Sequence, residues 1–166
     1  MAIWQFSLYL IPNESIKRMF KDTPSKLSLD VAEDTSWWSG YQPHRGFENT
    51  IHTILPEMHS WSESLRIWGD ESANAILVGY LTGEKREVEE IEIRIDVSNL
   101  SNEFVLRACR WAADLDCLGR TKAHEVVRPE YFEVHETIMR SRAMRFVQDP
   151  VKTLQSLRKD EFDRKG

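Results

Sequence analysis

The segment "EIEIRIDV", residues 90–97, decides the fold class because its side chains alternate strictly between apolar and charged. Successive side chains of a β-strand point to opposite faces of a sheet. One face of this predicted strand therefore carries Ile91, Ile93, Ile95 and Val97. The other face carries Glu90, Glu92, Arg94 and Asp96. The pattern predicts a sheet with one dry face and one charged face.

The segments around this strand supply the rest of the sheet and the helices that cover it. Period-2 alternation or apolar runs predict strands at 3–11, 27–31, 64–70 and 73–81, and two short strands within 117–127. Helical spacing of apolar residues predicts helices at 14–20, 47–55, 102–115 and 129–147, and a short helix after Pro150. Short connections require antiparallel pairing, and the dry face requires a helical layer. We therefore predict an α+β, two-layer sandwich with a mainly antiparallel sheet of about five or six strands and helices packed on one face.

Length and composition predict one ordinary globular unit. The 166 residues are 41% hydrophobic and 30% charged, which is typical of a folded protein. We predict a single domain over residues 1–158 and a frayed tail over 159–166. No run of about 18 apolar residues occurs, so we expect no membrane partner.

The net charge narrows the class of partner. The formal charge of −5 argues against a nucleic-acid partner bound through a basic face, and it favours a basic protein partner. The two cysteines, Cys109 and Cys117, form no CxxC pair, and Cys109 falls within a predicted helix. Two thiols of this kind predict a cytoplasmic location.

No sequence motif predicts catalysis, a metal or a cofactor. The five histidines form neither HxxxH nor HExxH, since Met139 stands where "HETIM" would need a second histidine. No serine lies in G-x-S-x-G, and the scattered glycines form no phosphate loop. The sequence favours a protein that is not an enzyme. Arg140, Arg142 and Arg145 lie late in the predicted helix 129–147, where the helix dipole alone accounts for them.

The stretch "TSWWSGYQPHRGF", residues 35–47, places two tryptophans in a predicted loop. Adjacent side chains diverge on a strand or a helix, so both rings do not easily enter one core. We expect one ring at the rim, near Tyr41. Trp68 has the opposite parity to Leu65 and Ile67, which predicts that its ring lies on the charged face. The competing interpretation is that all these rings plug the edges of the core.

Two functions follow from these patterns. In the first, an acidic face bearing aromatic rings docks a basic protein. The predicted binding residues are Trp37, Trp38, Tyr41, Trp68, Glu90, Glu92 and Asp96. In size, charge and lack of a catalytic motif, the chain resembles the immunity proteins that bacteria pair with secreted toxins, although no motif carries the resemblance. In the second, the protein is a small-ligand-binding protein or a hydrolase-like enzyme with a pocket under the Trp37–Gln42 loop.

Overall fold

The computed structural model describes the backbone of residues 2–163 and the side chains of residues 2–156. The strands are β1 (Gln5–Pro12), β2 (Glu57–Met58), β3 (Leu65–Gly69), β4 (Ala75–Tyr80), β5 (Val88–Asp96), β6 (Cys117–Thr121) and β7 (Val126–Val127). The helices are α1 (Asn13–Met19), α2 (Leu29–Asp34), α3 (Phe47–Ile54), α4 (Asn102–Asp114), α5 (Tyr131–Met139), α6 (Arg142–Gln148) and α7 (Pro150–Asp163). These elements form an α+β sandwich, as predicted.

The described strands form one antiparallel sheet in the order β2-β3-β4-β5-β1-β6-β7. The sheet thus has seven strands, where the sequence predicted five or six. β2 contains two residues, which is too short for an alternating pattern to be detected, whereas β6 and β7 lie within the segment 117–127, where two short strands are predicted. Among the described residues, we find no helix with the length and apolar character needed to cross a membrane.

The alternation in β5 is confirmed. Ile91, Ile93 and Ile95 are buried in the main core together with Ile51 of α3 and Val105 of α4. Helix α4 begins where the sequence predicts, because the Ser101 hydroxyl accepts a hydrogen bond from the Phe104 N–H at 3.2 Å. The helical layer therefore covers the isoleucine face of the sheet.

Three local predictions are wrong. Residues 27–31 do not form a strand, since α2 begins at Leu29. The helix predicted over 129–147 is divided into α5 and α6, because Ser141 caps a new helix by accepting a hydrogen bond from the Met144 N–H. Phe132, which the helical spacing in residues 129–147 assigns to the apolar stripe of the predicted helix, is 82% exposed, because α5 turns Val134 and Ile138 inward instead.

The predicted tail at 159–166 falls mainly outside the part of the chain that the structure describes in full. The backbone of α7 extends to Asp163. The side chains from residue 157 onward and the whole of residues 164–166 lie outside the described residues.

The register of β1 organises the sheet. Its first five residues, 5–9, pair with β5, whereas its last five, 8–12, pair with β6. Only Leu8 and Tyr9 have a partner on both sides. The two neighbours of β1 are therefore displaced along it in opposite directions, which leaves an open corner on each side of the strand.

Gly119 of β6 is required by the packing across this register. A Cβ at Gly119 would lie 2.5 Å from the Cδ1 atom of Leu8, which is buried in the core. A Cβ at Gly79 of β4 would meet its nearest atom at 3.8 Å, an ordinary contact distance. Both glycines lie in strands, so they form a matched pair.

We predict that Gly119→Ala lowers the free energy of unfolding by about 1–3 kcal/mol, the usual cost of overpacking a core. Gly79→Ala should change it by less than about 0.5 kcal/mol. Urea denaturation of the two variants and the parent measures both values. Equal stability of the two variants would show that Leu8 does not pack across Gly119.

Candidate functional site at the fork in the sheet

The candidate site forms where β1 and β5 separate. Their last paired residues are Tyr9 and Glu92. Beyond this pair, β1 continues beside β6, whereas the first residues of β5 pair only with β4. The strands leave a gap at this point, which we call the fork, and backbone polar groups that face the gap need other partners.

The loop at residues 37–42 closes the fork. The indole N–H of Trp38 donates a hydrogen bond to the Leu10 carbonyl of β1 at 3.1 Å. The Gln42 side chain pairs with β5, donating to the Val88 carbonyl at 3.0 Å and accepting from the Val88 N–H at 2.6 Å. The loop thus takes the place of a strand in the fork. It supplies hydrogen-bond partners to the backbone of β1 at Leu10 and to the backbone of β5 at Val88.

Trp37 and Trp38 are both buried, with Trp38 only 3% exposed. The Trp37 indole N–H donates to the Ala32 carbonyl of α2 at 3.4 Å, and the Trp37 carbonyl accepts from the Ser15 hydroxyl. Both rings belong to the main core, although the sequence suggested that they do not easily enter one core. They fit because one is bonded to α2 and the other to β1. The expectation of a ring at the rim is wrong, because the loop is itself part of the core.

Trp68 also lies on the other side of the sheet from the one predicted. It is 0% exposed and pairs with Ile76, which pairs with Ile93 on the helix-covered face. Its parity relative to Ile67 was predicted correctly, but Ile67 packs with Leu77 on the opposite face. The Trp68 indole N–H donates to His52 Nδ1 of α3 at 3.3 Å, which ties the ring to the helical layer.

The remaining predicted residues do not form one surface. Glu92 is buried and accepts hydrogen bonds from the Ser7 hydroxyl at 2.7 Å and from Arg94 at 2.9 Å. Asp96, at the far end of β5, accepts from the Ser98 N–H at 2.9 Å and stabilises the turn into α4. Tyr41 is half-buried and does not line the cavity described next. The predicted contact surface is thus dispersed, because two of its three acidic members, Glu92 and Asp96, form internal hydrogen bonds.

A cavity of about 620 Å³ lies against the fork and brings together Trp37, Trp38 and Glu90. Its other charged lining residues are Glu33, Glu87, Glu89 and Arg120. The volume is within the usual range for a ligand pocket. Four carboxylates therefore share this cavity with one guanidinium group.

The electrostatics of the cavity centre on Tyr9, Glu90 and Arg120. Partial burial, followed by the negative charge of Glu92, raises the pKa of Glu90 above its ordinary value. Burial also raises the pKa of Tyr9 to about 12, with further contributions from the charges of Glu92 and Glu90. The Arg120 guanidinium lies 4.6 Å from the centre of the Tyr9 ring and partly offsets both shifts. A second positive charge in this cavity would stabilise the ionised form of Glu90.

Sequence reasoning missed Tyr9 and Arg120. Tyr9 alternates with Leu8 and Leu10 in β1, so the sequence could have placed its side chain on the face of the sheet opposite to those two leucines. Arg120 pairs with Tyr9 across the β1–β6 register, which the sequence does not specify.

Other chemistry receives little support from the described residues. Burial raises the pKa of both Cys109 and Cys117 to about 12, so neither thiol is a ready nucleophile. Within residues that the structure describes, no group of three or more histidine, cysteine, aspartate or glutamate side chains could hold a metal ion. Comparison with protein-family models, curated proteins and solved structures finds no match.

Replacement of the buried Trp38 side chain tests whether its ring closes the gap between β1 and β5 at the fork. We predict that Trp38→Ala lowers the free energy of unfolding by about 3–5 kcal/mol, because it leaves a cavity and an unpaired Leu10 carbonyl. Trp61, which is 76% exposed, supplies the matched control. Trp61→Ala should cost less than about 1 kcal/mol. Chemical denaturation of both variants measures the difference, and a Trp38→Ala protein as stable as the control would disprove the role of the ring.

Proposed function

We propose that the protein is a binding module for a basic protein partner and that the cavity at the fork receives a lysine or arginine side chain of that partner. The observation that carries this proposal is the concentration of Glu33, Glu87, Glu89 and Glu90 around one cavity with a single positive charge. The proposal keeps the basic partner expected from the sequence but moves its contact from exposed indole rings to a concave acidic site.

The four carboxylates are available to a partner. None of them forms an ion pair within the described part of the chain, whereas Glu48, Glu57 and Glu92 are paired with arginines. An approaching cation would therefore not need to break an existing ion pair. The net charge of −5 favours its approach over long range.

The walls of the cavity are suited to a preformed site. Trp37 and Trp38 are fixed by hydrogen bonds to α2 and β1, and Gln42 is fixed to β5. Binding then requires little ordering of the loop, which reduces the entropic cost of association. A cytoplasmic location is part of the same proposal, supported by two buried cysteines that are free thiols.

The concave shape also favours a second candidate, a small cationic ligand that occupies the same cavity without a protein attached. The two candidates share their chemistry at the carboxylates. They differ in whether the contact extends beyond the cavity, and the length of the probe distinguishes them.

The test is a calorimetric titration with a short peptide that contains one arginine flanked by glycine and serine, and with the same peptide carrying glutamine instead. We expect the arginine peptide to bind and the glutamine peptide not to bind measurably. Glu90→Gln should weaken its affinity by about tenfold, since one charge-assisted hydrogen bond contributes roughly 1.4 kcal/mol. The control Glu103→Gln removes the same charge from an exposed position on α4 and should leave the affinity unchanged.

Failure of the arginine peptide to bind, or equal weakening by both variants, would overturn the proposal. If an arginine amide binds as tightly as the peptide, the small-ligand candidate is favoured. Thermal unfolding accompanies the titration, since Glu90→Gln relieves repulsion from Glu92 and should not lower the melting temperature.

The pH dependence of binding has a defined sign. The pKa of Glu90 is raised in the free protein, and a bound cation would lower it. At a pH near the pKa of Glu90 in the free protein, binding of the cation therefore releases protons, and the affinity falls as the pH is lowered. We expect the affinity for the arginine peptide to be greatest near neutral pH and to decline as Glu90 becomes protonated. Titrations across this range should show a weaker pH dependence in Glu90→Gln, and an identical profile would exclude Glu90 from the contact.

A further inference from the structure

The second open corner of the sheet also holds a cavity, of about 700 Å³. It lies where β6 ends at Thr121, opposite Leu8, so that the pairing of β1 with β6 does not reach Gln5 and Phe6. The junction of α5 and α6 contributes the outer wall. We call this the basic corner because of the side chains that line it.

Five of the lining residues are basic, and one is acidic. The basic residues are Lys26, Lys122, Arg140, Arg142 and Arg145. The acidic residue is Glu125. The excess of positive charge is notable because the whole protein carries five more acidic than basic residues. The five basic side chains are exposed, so solvent screens their mutual repulsion, and together they attract an anion to the cavity.

Tertiary contacts hold several segments at the basic corner. Lys26 forms an isolated β-bridge with Glu125, and the adjacent Leu27 N–H donates to the His124 carbonyl at 2.9 Å. Arg140 donates to the Thr137 hydroxyl at 3.2 Å and lies 3.6 Å from the Glu125 carboxylate. Residues distant in sequence are thus positioned around one space.

The helix dipole accounts for two of the five cations, since Arg140 is the C-cap residue of α5 and Arg145 lies in the last turn of α6. The sequence attributed Arg140, Arg142 and Arg145 to the end of one long helix, but the structure divides that helix at Ser141. Arg142 consequently lies in the first turn of α6, where the dipole disfavours a positive charge. Lys26 and Lys122 belong to no helix. The dipole thus gives no reason for Lys26, Lys122 and Arg142 to line the same cavity.

We propose that the basic corner binds a small organic phosphate. Several cations that approach from different segments suit a phosphate dianion, which accepts charge-assisted hydrogen bonds from more than one side. The same cavity is lined by Ile3, Phe6 and Ala143, which provide an apolar wall for the organic part of the ligand. Its volume is suited to a small molecule. This site is separate from the acidic cavity at the fork and does not depend on the function proposed there.

The experiment uses phenyl phosphate as the probe in calorimetric titrations of the whole protein at low salt. Inorganic phosphate tests the contribution of the ring, and phenol tests the contribution of the charge. We expect phenyl phosphate to bind more tightly than inorganic phosphate and phenol not to bind measurably. Arg142→Gln and Lys122→Gln should each weaken phenyl phosphate by about tenfold, the loss of one strong charged contact.

The matched control is Arg110→Gln, which removes the same charge from an exposed position on α4 outside the cavity. It should change the affinity by less than about twofold. Circular dichroism of each variant verifies the fold. Absence of phenyl phosphate binding, equal weakening by Arg110→Gln, or binding of phenol as tight as that of phenyl phosphate would each overturn the proposal.

Discussion

The offset of β5 and β6 along β1 is the constraint on which the rest of the structure depends. Only Leu8 and Tyr9 pair on both sides of this central strand. Every other residue of β1 has a partner strand on one side alone, and buried backbone groups cannot remain unpaired without a cost of about 1–3 kcal/mol each. The two open corners must therefore be closed by something other than a strand, and both cavities described here arise at those corners.

The two open corners of the sheet are closed in different ways, and this difference determines whether acidic or basic side chains line each cavity. At the fork, the side chains of Trp38 and Gln42 form the hydrogen bonds that a missing strand would form. The indole rings are therefore buried in the core, and carboxylates line the opening of the cavity. At the basic corner, the junction of α5 and α6 approaches the sheet and brings arginines with it. Opposite charges are thus separated along β1, and exposed charges more than about 8 Å apart are largely screened at physiological salt. Each site can therefore respond to its own ligand.

The sequence predicts the fold class well because the deciding pattern is local. The alternation of β5 and the stripe of α4 each depend on one segment and its burial. Trp68 was assigned to the wrong face because β3 carries apolar residues on both faces. The alternation therefore shows which residues share a face, but it does not show which of the two faces packs against the helices. The alternative interpretation of the sequence placed a pocket under the Trp37–Gln42 loop, and the structure has the cavity at the fork beside that loop. The outline of this cavity and the presence of the basic corner could not be predicted, since they depend on the register between distant strands. Glu90, Trp37 and Trp38, which the sequence predicts as parts of an exposed binding surface, line the cavity at the fork, whereas Tyr9, Arg120 and the basic corner require the pairing of β1 with β6.

If the protein has the function proposed above, the burial of Trp37 and Trp38 changes the physical basis of recognition rather than removing it. An exposed aromatic patch would contribute binding energy through its own desolvation. A buried pair contributes by fixing the geometry of the carboxylates beside it, because each ring is anchored at its indole nitrogen and the loop has little freedom to move. Charged groups discriminate between partners most strongly when their positions are fixed before the partner arrives. In the proposed function, the two largest side chains of the loop thus form rigid walls of the site, while the carboxylates supply its selectivity for positive charge.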